Sequence, residues 1–199
     1  MRTKAAIATL MVSLTANMAF AEMLNKVLSV GSSAPQWSRI EGTDGKQHNL
    51  SDYKDAKAIV IVFTCNHCPV AASYEDRLIA IQKEYQERGV QLVSVCVSLG
   101  PEDDLAAMKS RAEGKVFNFP YLSDPSQAMG RIYGARTTPE VFVLDANRKV
   151  AYMGKIDDNW MSADEVRKPY LRDALDAVLG GRTPAIPETK AVGCGIEYQ

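Results

Sequence analysis

No stretch beyond residue 21 of this 199-residue sequence approaches the roughly 20 consecutive apolar residues that a bilayer-spanning helix needs. The earlier run, Ala5 to Leu14, is also too short, and Ser13, Thr15 and Asn17 break it up. Histidine is scarce, with two in the chain. Neither a second Cys-x-x-Cys nor a histidine pair accompanies the one at Cys65 and Cys68, so a zinc site there would have to find its remaining ligands among His48, His67, Cys96 and Cys194. A c-type haem attachment would need histidine at position 69, where Pro69 stands. There is no basic stripe and no interleaving of aromatic with basic residues, and the formal charge is −1. Nucleic acid and acidic membrane surfaces are thereby excluded as partners. Internal repeats and low-complexity tracts are missing as well, and the length suits one domain with a single core.

What is present begins with a leader-like start. Arg2 and Lys4 precede the apolar run, and Ala19-Phe20-Ala21 fits the small-x-small pattern of a secretory cleavage site. The expectation is cleavage after Ala21 and export to the periplasm or the extracellular space. Residues 1–21 are then a signal peptide, 22–180 one domain, and 181–199 an irregular tail rich in Gly and Pro. Cleavage removes two cations and no acid, leaving the mature chain at −3.

The body reads as alternating strands and helices. A small hairpin is expected from Trp37–Ile40 and Gln47–Leu50 around the turn Asp44-Gly45. Ala58 to Phe63 is a continuous apolar, mostly β-branched run, the pattern of a strand buried on both faces. From Pro69 to Arg88 the residues Ala71, Tyr74, Leu78, Ile81 and Tyr85 step by three and four, which makes one helical face closed by Gly89. Gln91 to Ser98 is a second buried strand. Pro101 with Glu102, Asp103 and Asp104 opens a further helix, its acids placed where the macrodipole favours them. A short helix runs from Asp124-Pro125 to Gly134, and Glu140–Leu144 with Lys149–Met153 forms a second hairpin. Ser162 and Glu165 match a capping box, although Pro169 must break or restart that helix before Leu171 to Leu179.

The chemistry concentrates at Cys65-Asn66-His67-Cys68. Two thiols three positions apart can close a small disulfide ring, and the first lies near a helix amino end, where unpaired N–H groups stabilise a thiolate. His67 adds a positive charge or a hydrogen bond, which favours the reduced form and makes the disulfide a better oxidant. Cys65 is expected to attack and Cys68 to resolve. A purely structural disulfide restrains very little chain across two intervening residues. Thr137-Thr138-Pro139 is the second informative element. A cis proline before a strand lets the backbone of Thr138 pair with an extended peptide held beside the disulfide.

These residues carry a family resemblance. Phe63-Thr-Cys65-Asn-His-Cys68-Pro69, Tyr133 to Asp145 with its Thr138-Pro139, Tyr152 to Asn159, and Gly193-Cys194-Gly195-Ile196 together resemble the redoxin branch of the thioredoxin superfamily. They are most similar to exported members with a Cys-Asn-His-Cys active site. The similarity spans about residues 30 to 197. It implies an α/β thioredoxin-like fold, with a central mixed sheet flanked by helices and an N-terminal hairpin extension. It also implies Cys65 as nucleophile, Cys68 as resolving thiol and Pro139 as the cis proline. The implied substrates are protein thiols and disulfides, no cofactor is expected, and the branch includes envelope reductases kept reduced by a membrane electron donor. Thioredoxin itself has an acid six residues before its first active-site cysteine and Trp just before it, where Ile59 and Thr64 stand here. The resemblance therefore supplies no general base for Cys68. The peroxidatic spacing Pro-x-x-x-Thr/Ser-x-x-Cys fails at both thiols, since Ile61 and Ala58 occupy the proline positions.

Cys96, inside Leu92 to Val97, reads as a small buried hydrophobe. Cys194, on a Gly-flanked tail, is a candidate third redox thiol or a free tail thiol. Asp157 and Asp158 are candidates for facing the site or simply for solvated loop acids, and no metal is assigned to them. The reading is a thiol:disulfide oxidoreductase using Cys65, Cys68, His67, Thr138 and Pro139, with no evident small-molecule pocket. Its alternatives are a soft-metal module, such as a copper chaperone, and a thiol peroxidase.

Overall fold

The computed structural model describes residues 24–199; the expected signal peptide and its cleavage after Ala21 lie outside them. In chain order the elements are β1 (Ile40–Gly42), β2 (Gln47–His48), β3 (Ala58–Thr64), α1 (Pro69–Tyr85), β4 (Val90–Cys96), α2 (Leu105–Lys115), β5 (Tyr121–Ser123), α3 (Ala128–Tyr133), β6 (Thr137–Thr138), β7 (Glu140–Leu144), β8 (Val150–Gly154), α4 (Tyr170–Leu179) and β9 (Cys194–Gly195). A seven-stranded sheet runs in the order β2-β1-β5-β4-β3-β7-β8. Its pairs β3/β4 and β4/β5 are parallel and the others antiparallel. This is the mixed sheet of a thioredoxin-like fold, with the β1/β2 hairpin added at one edge.

All seven residues of β3 are buried. Strand alternation sends Ile59, Ile61 and Phe63 to one face, where they meet Trp37, Leu50, Tyr133 and Phe142. Ala58, Val60 and Val62 go to the other, against Tyr74, Leu78 and Ile81 of α1 and Leu171 and Leu175 of α4. The three-four spacing of α1 therefore does its work on this second face. After α1 a 3-10 turn, Gln86–Arg88, ends at Gly89 with φ +89°, a conformation in which glycine alone escapes the Cβ clash.

Several sequence expectations shift. Pro101–Asp103 is a single 3-10 turn, and α2 starts later, with Asp104 as its cap accepting from Ala107 N–H at 2.8 Å. No helix forms at Ser162, because other partners take the capping groups: Glu165 accepts from the Asn159 side chain, and Asn159 Oδ1 takes the N–H groups of Met161 and Ser162. The helix begins instead at Tyr170, after Pro169. Strand β5 was not expected; its three residues are too few to carry a pattern, and pairing to β1 and β4 creates it. The tail is not wholly irregular, since β9 pairs antiparallel with β6.

Phe142 packs edge-on against both Phe63 and Tyr133 with no exposed surface. Phe142→Ala is expected to lower stability by about 3–5 kcal/mol, read as a fall in the urea midpoint with an unchanged slope.

Candidate active site

The chain leaves the sheet at Thr64 and re-enters regular structure at Pro69. Cys68 is the N-cap of α1, with Pro69 in the first turn, where a missing N–H costs nothing. The Cys68 sulfur accepts from Ala71 N–H at 3.4 Å. Cys65 is 3 % exposed and Cys68 0 %. Residues 138 and 139 meet them from the far side. The Thr138–Pro139 peptide is cis, Thr138 Oγ1 lies 3.2 Å from Cys65 Sγ, and the Cys68 thiol donates to Thr138 O at 3.1 Å.

His67 turns back to Cys65, its Nε2 3.8 Å from the sulfur, while Nδ1 hydrogen-bonds Asp103 Oδ2. Asp103 is the residue that sequence reasoning missed. It read as one of three acids opening a helix. The 3-10 turn instead aims it inward, where Oδ1 accepts from Asn66 N–H at 2.6 Å and the side chain has no exposed surface. Burial pushes its carboxyl up, but hydrogen bonds from Ser98, His67 and the Asn66 N–H outweigh that and hold it below the usual carboxylate range. With Asp103 ionised, Nδ1 is the donor in that bond, and the other ring nitrogen, Nε2, is the one that faces Cys65. Thiol, imidazole and carboxylate thus stand in series, the arrangement in which a base draws a proton from a nucleophile while a third group orients the base.

The thiols hydrogen-bond each other, so the first proton lost belongs to the pair. The hydrogen bond from Cys65 holds Cys68 well below the ordinary thiol range against burial, with help from Cys194, Ala71 N–H and Thr138. The same bond, together with burial and the charge of Asp103, pushes Cys65 up. The sequence argument put the stabilised thiolate on Cys65. The helix terminus acts on the pair through Cys68, which occupies the cap and accepts from Ala71 N–H.

A cavity of about 460 Å³ opens beside Cys65, lined by His67, Asp103 and Thr138, by residues 97–100 and by tail residues 195–197. The sequence made no such pocket evident. The backbone of Thr138, expected to receive an extended client, pairs with Cys194. Cys194 is half-buried against Cys65 and Cys68. Cys96 is packed in the same cluster, and burial pushes its thiol up to about 12, as suits a buried hydrophobe. Neither Asp157 nor Asp158 joins the thiols. Asp157 is buried, accepting from Tyr74 OH and Arg77 Nη1, both at 2.7 Å. Asp158 takes the backbone N–H groups of Arg167 and Lys168.

The redoxin family model matches residues 29–168. The chain belongs to the redoxin family. Among solved structures it is similar to an uncharacterized conserved protein from Geobacillus kaustophilus, at 32% identity and TM-score 0.81, over 88% of this chain and 95% of that one. A hypothetical protein from Sinorhizobium meliloti 1021 gives 27% identity and TM-score 0.81, over 88% and 97%. A thiol:disulfide interchange protein of the thioredoxin family from Chlorobium tepidum shares the fold at 20% identity and TM-score 0.61, over 76% and 99%. Nothing among curated proteins matches. As a redoxin of thioredoxin fold, the protein is an oxidoreductase.

Donor atoms of Cys65, His67 and Asp103 all lie within 4.8 Å of one another, close enough to consider a metal. Asp103 Oδ2 is engaged with His67 Nδ1, however, and Oδ1 with backbone N–H. The carboxylate therefore orients the imidazole, and Cys65 Sγ and His67 Nε2 are the donors left over.

The shared hydrogen bond gives a sign to the first titration. In the reduced redoxin one thiolate should already absorb in the far ultraviolet at a pH well below the ordinary thiol range. Cys68→Ala removes both the cap and the shared bond, leaving Cys65 with burial and Asp103 against its charge. The first thiolate to form in the variant is then that of Cys65, without the sulfur donor that holds Cys68 low, so the protein's first titration midpoint should rise above the wild-type value by at least about one pH unit, or ~1.4 kcal/mol of differential stabilisation.

Proposed function

We propose that this redoxin exchanges disulfides with protein thiols of the cell envelope through Cys65 and Cys68. One observation carries the reading: Cys65 faces the cavity with the His67–Asp103 pair behind it, while Cys68 is wholly buried at its side. In the reducing direction Cys65 loses its proton to His67 Nε2 and attacks a client disulfide, and the departing client sulfur takes that proton. Cys68 then attacks Cys65 Sγ and expels the second client sulfur, which takes up the proton that Cys68 gives off. The enzyme ends as a Cys65–Cys68 disulfide and the client as two thiols; the reverse sequence oxidises a client.

The basic, apolar start ending at Ala21 supports export, and among the described residues no helix is long and apolar enough to cross a membrane. A membrane electron donor would then recharge the reductive direction. The soft-metal reading draws on the grouping of Cys65, His67 and Asp103, but the commitment of Asp103 to His67 leaves it two donors.

Donors to Cys68 stabilise the reduced pair and so make its disulfide the stronger oxidant. The couple measured in glutathione buffers should lie above thioredoxin's value of about −270 mV. A potential at or below that value would remove the oxidising tendency. Absence of any reversible two-electron couple, together with stoichiometric metal in the reduced protein, would replace exchange with metal binding.

A further inference from the structure

The tail beyond Val192 is docked at several points. Ile196 N–H bonds Arg136 O at 2.9 Å, Gln127 Nε2 bonds Glu197 O at 2.8 Å, and Tyr198 OH bonds Ala135 O at 2.7 Å under the Arg131 guanidinium. These contacts hold β9 in register with β6, with Cys194 directly opposite Thr138. A Cβ on Gly193 would come within 1.9 Å of Thr138 O, so glycine is what allows the backbone this close. Thr138 O is also the acceptor of the Cys68 thiol. The register therefore brings Cys194 to the side of Cys68, packed against the cluster that holds both active-site sulfurs.

A client disulfide would be presented in the same way: an extended segment paired with Thr138, its sulfur beside the active-site thiols. We propose that the C-terminal strand is an internal client and that Cys194 is a third redox thiol which exchanges with Cys68. The proposal rests on the exchange reading of Cys65 and Cys68. Starting from the Cys65–Cys68 disulfide, the Cys194 thiolate attacks Cys68 Sγ, forming Cys68–Cys194 and breaking Cys65–Cys68. Cys65 leaves as a thiolate, and the proton given up by Cys194 passes to it or to His67 Nε2. One disulfide is exchanged for another, so no oxidant or reductant is consumed. In the reduced enzyme burial, and then the hydrogen bond and charge of Cys68, keep Cys194 protonated; once Cys68 is in a disulfide, those last two causes are gone. The product stores the disulfide away from the cavity, presents a reactive Cys65 to it, and fastens the tail over the Thr138 edge.

The test is Cys65→Ser in the full chain, oxidised with glutathione disulfide, acid-quenched, alkylated and mapped by non-reducing peptide mass analysis. The expected result is a peptide linking Cys68 to Cys194, with a roughly tenfold loss of Cys194 alkylation relative to the reduced variant. Cys68 and Cys194 both alkylatable, or each carrying glutathione separately, would overturn the relay. Wild-type protein treated alongside separates the two claims. A reversible Cys65–Cys68 couple without linkage in the variant removes the relay alone, whereas no couple in wild type removes the exchange reading beneath it. Should Cys65→Ser fail to fold, wild type equilibrated at graded glutathione ratios reads the same step. A fraction with Cys65 alkylated and Cys194 protected supports it, and Cys194 alkylated in every fraction at every ratio overturns it.

Discussion

Between Thr64 and Pro69 the chain must pass from a strand buried on both faces to a helix lying over one of them, and four residues make the passage. That turn cannot be extended, because β3 is held by β4 and β7 through almost its whole length. Nor can it be loosened, because Tyr74, Leu78 and Ile81 hold α1 on the sheet. Two cysteines placed in such a turn are buried, close together, and directed at whatever the neighbouring strands bring alongside. Strand β7 pairs with β3, so the segment just before it, Thr138-Pro139, arrives beside the sulfurs. The juxtaposition of Cys65, Cys68 and Thr138 is a consequence of sheet register as much as of the cysteine spacing.

Burial alone would push both thiols up and make the centre inert, as it does for Cys96. What separates the candidate pair from Cys96 is the set of polar partners around the sulfurs. Cys68 has a helix cap, Thr138 and two neighbouring thiols, whereas Cys65 has Thr138 Oγ1 and an imidazole. The imidazole is useful only if its tautomer is fixed, and Asp103 fixes it from the end of a 3-10 turn, its own N–H bonded to Gly100 O. In low-dielectric surroundings each of these contacts counts for more than it would at the surface.

Elements that bury a continuous or regularly spaced apolar pattern were legible in the sequence: β3, α1, β7 and the Cys65–Cys68 motif between the first two. Asp103 was not, since in Pro101-Glu-Asp-Asp104 nothing distinguishes an acid that caps a helix from one that turns under the active site. Asp104 took the cap and released its neighbour. The capping box at Ser162 misled because it weighs two residues against each other and ignores Asn159, which reaches the same N–H groups first. Asp157 and Asp158 looked alike side by side, yet opposite orientations send one to Tyr74 and Arg77 and the other to the loop backbone.

The tail was the least legible part, and the reason is physical. A two-residue strand flanked by glycines has no periodicity to read, and its place is set by what it pairs with rather than by what it buries. Short edges next to a cis proline carry unpaired N–H and C=O groups, which attract any extended chain. Here the chain's own β9 satisfies them, with a thiol at the position where a client's sulfur would be. An external peptide seeking the Thr138 edge must first displace contacts to Arg136, Gln127 and Ala135. A substrate entering through the cavity beside Cys65 meets no such barrier. The two approaches to the same pair of sulfurs are therefore unequal, one covered by the paired tail and the other open at the cavity.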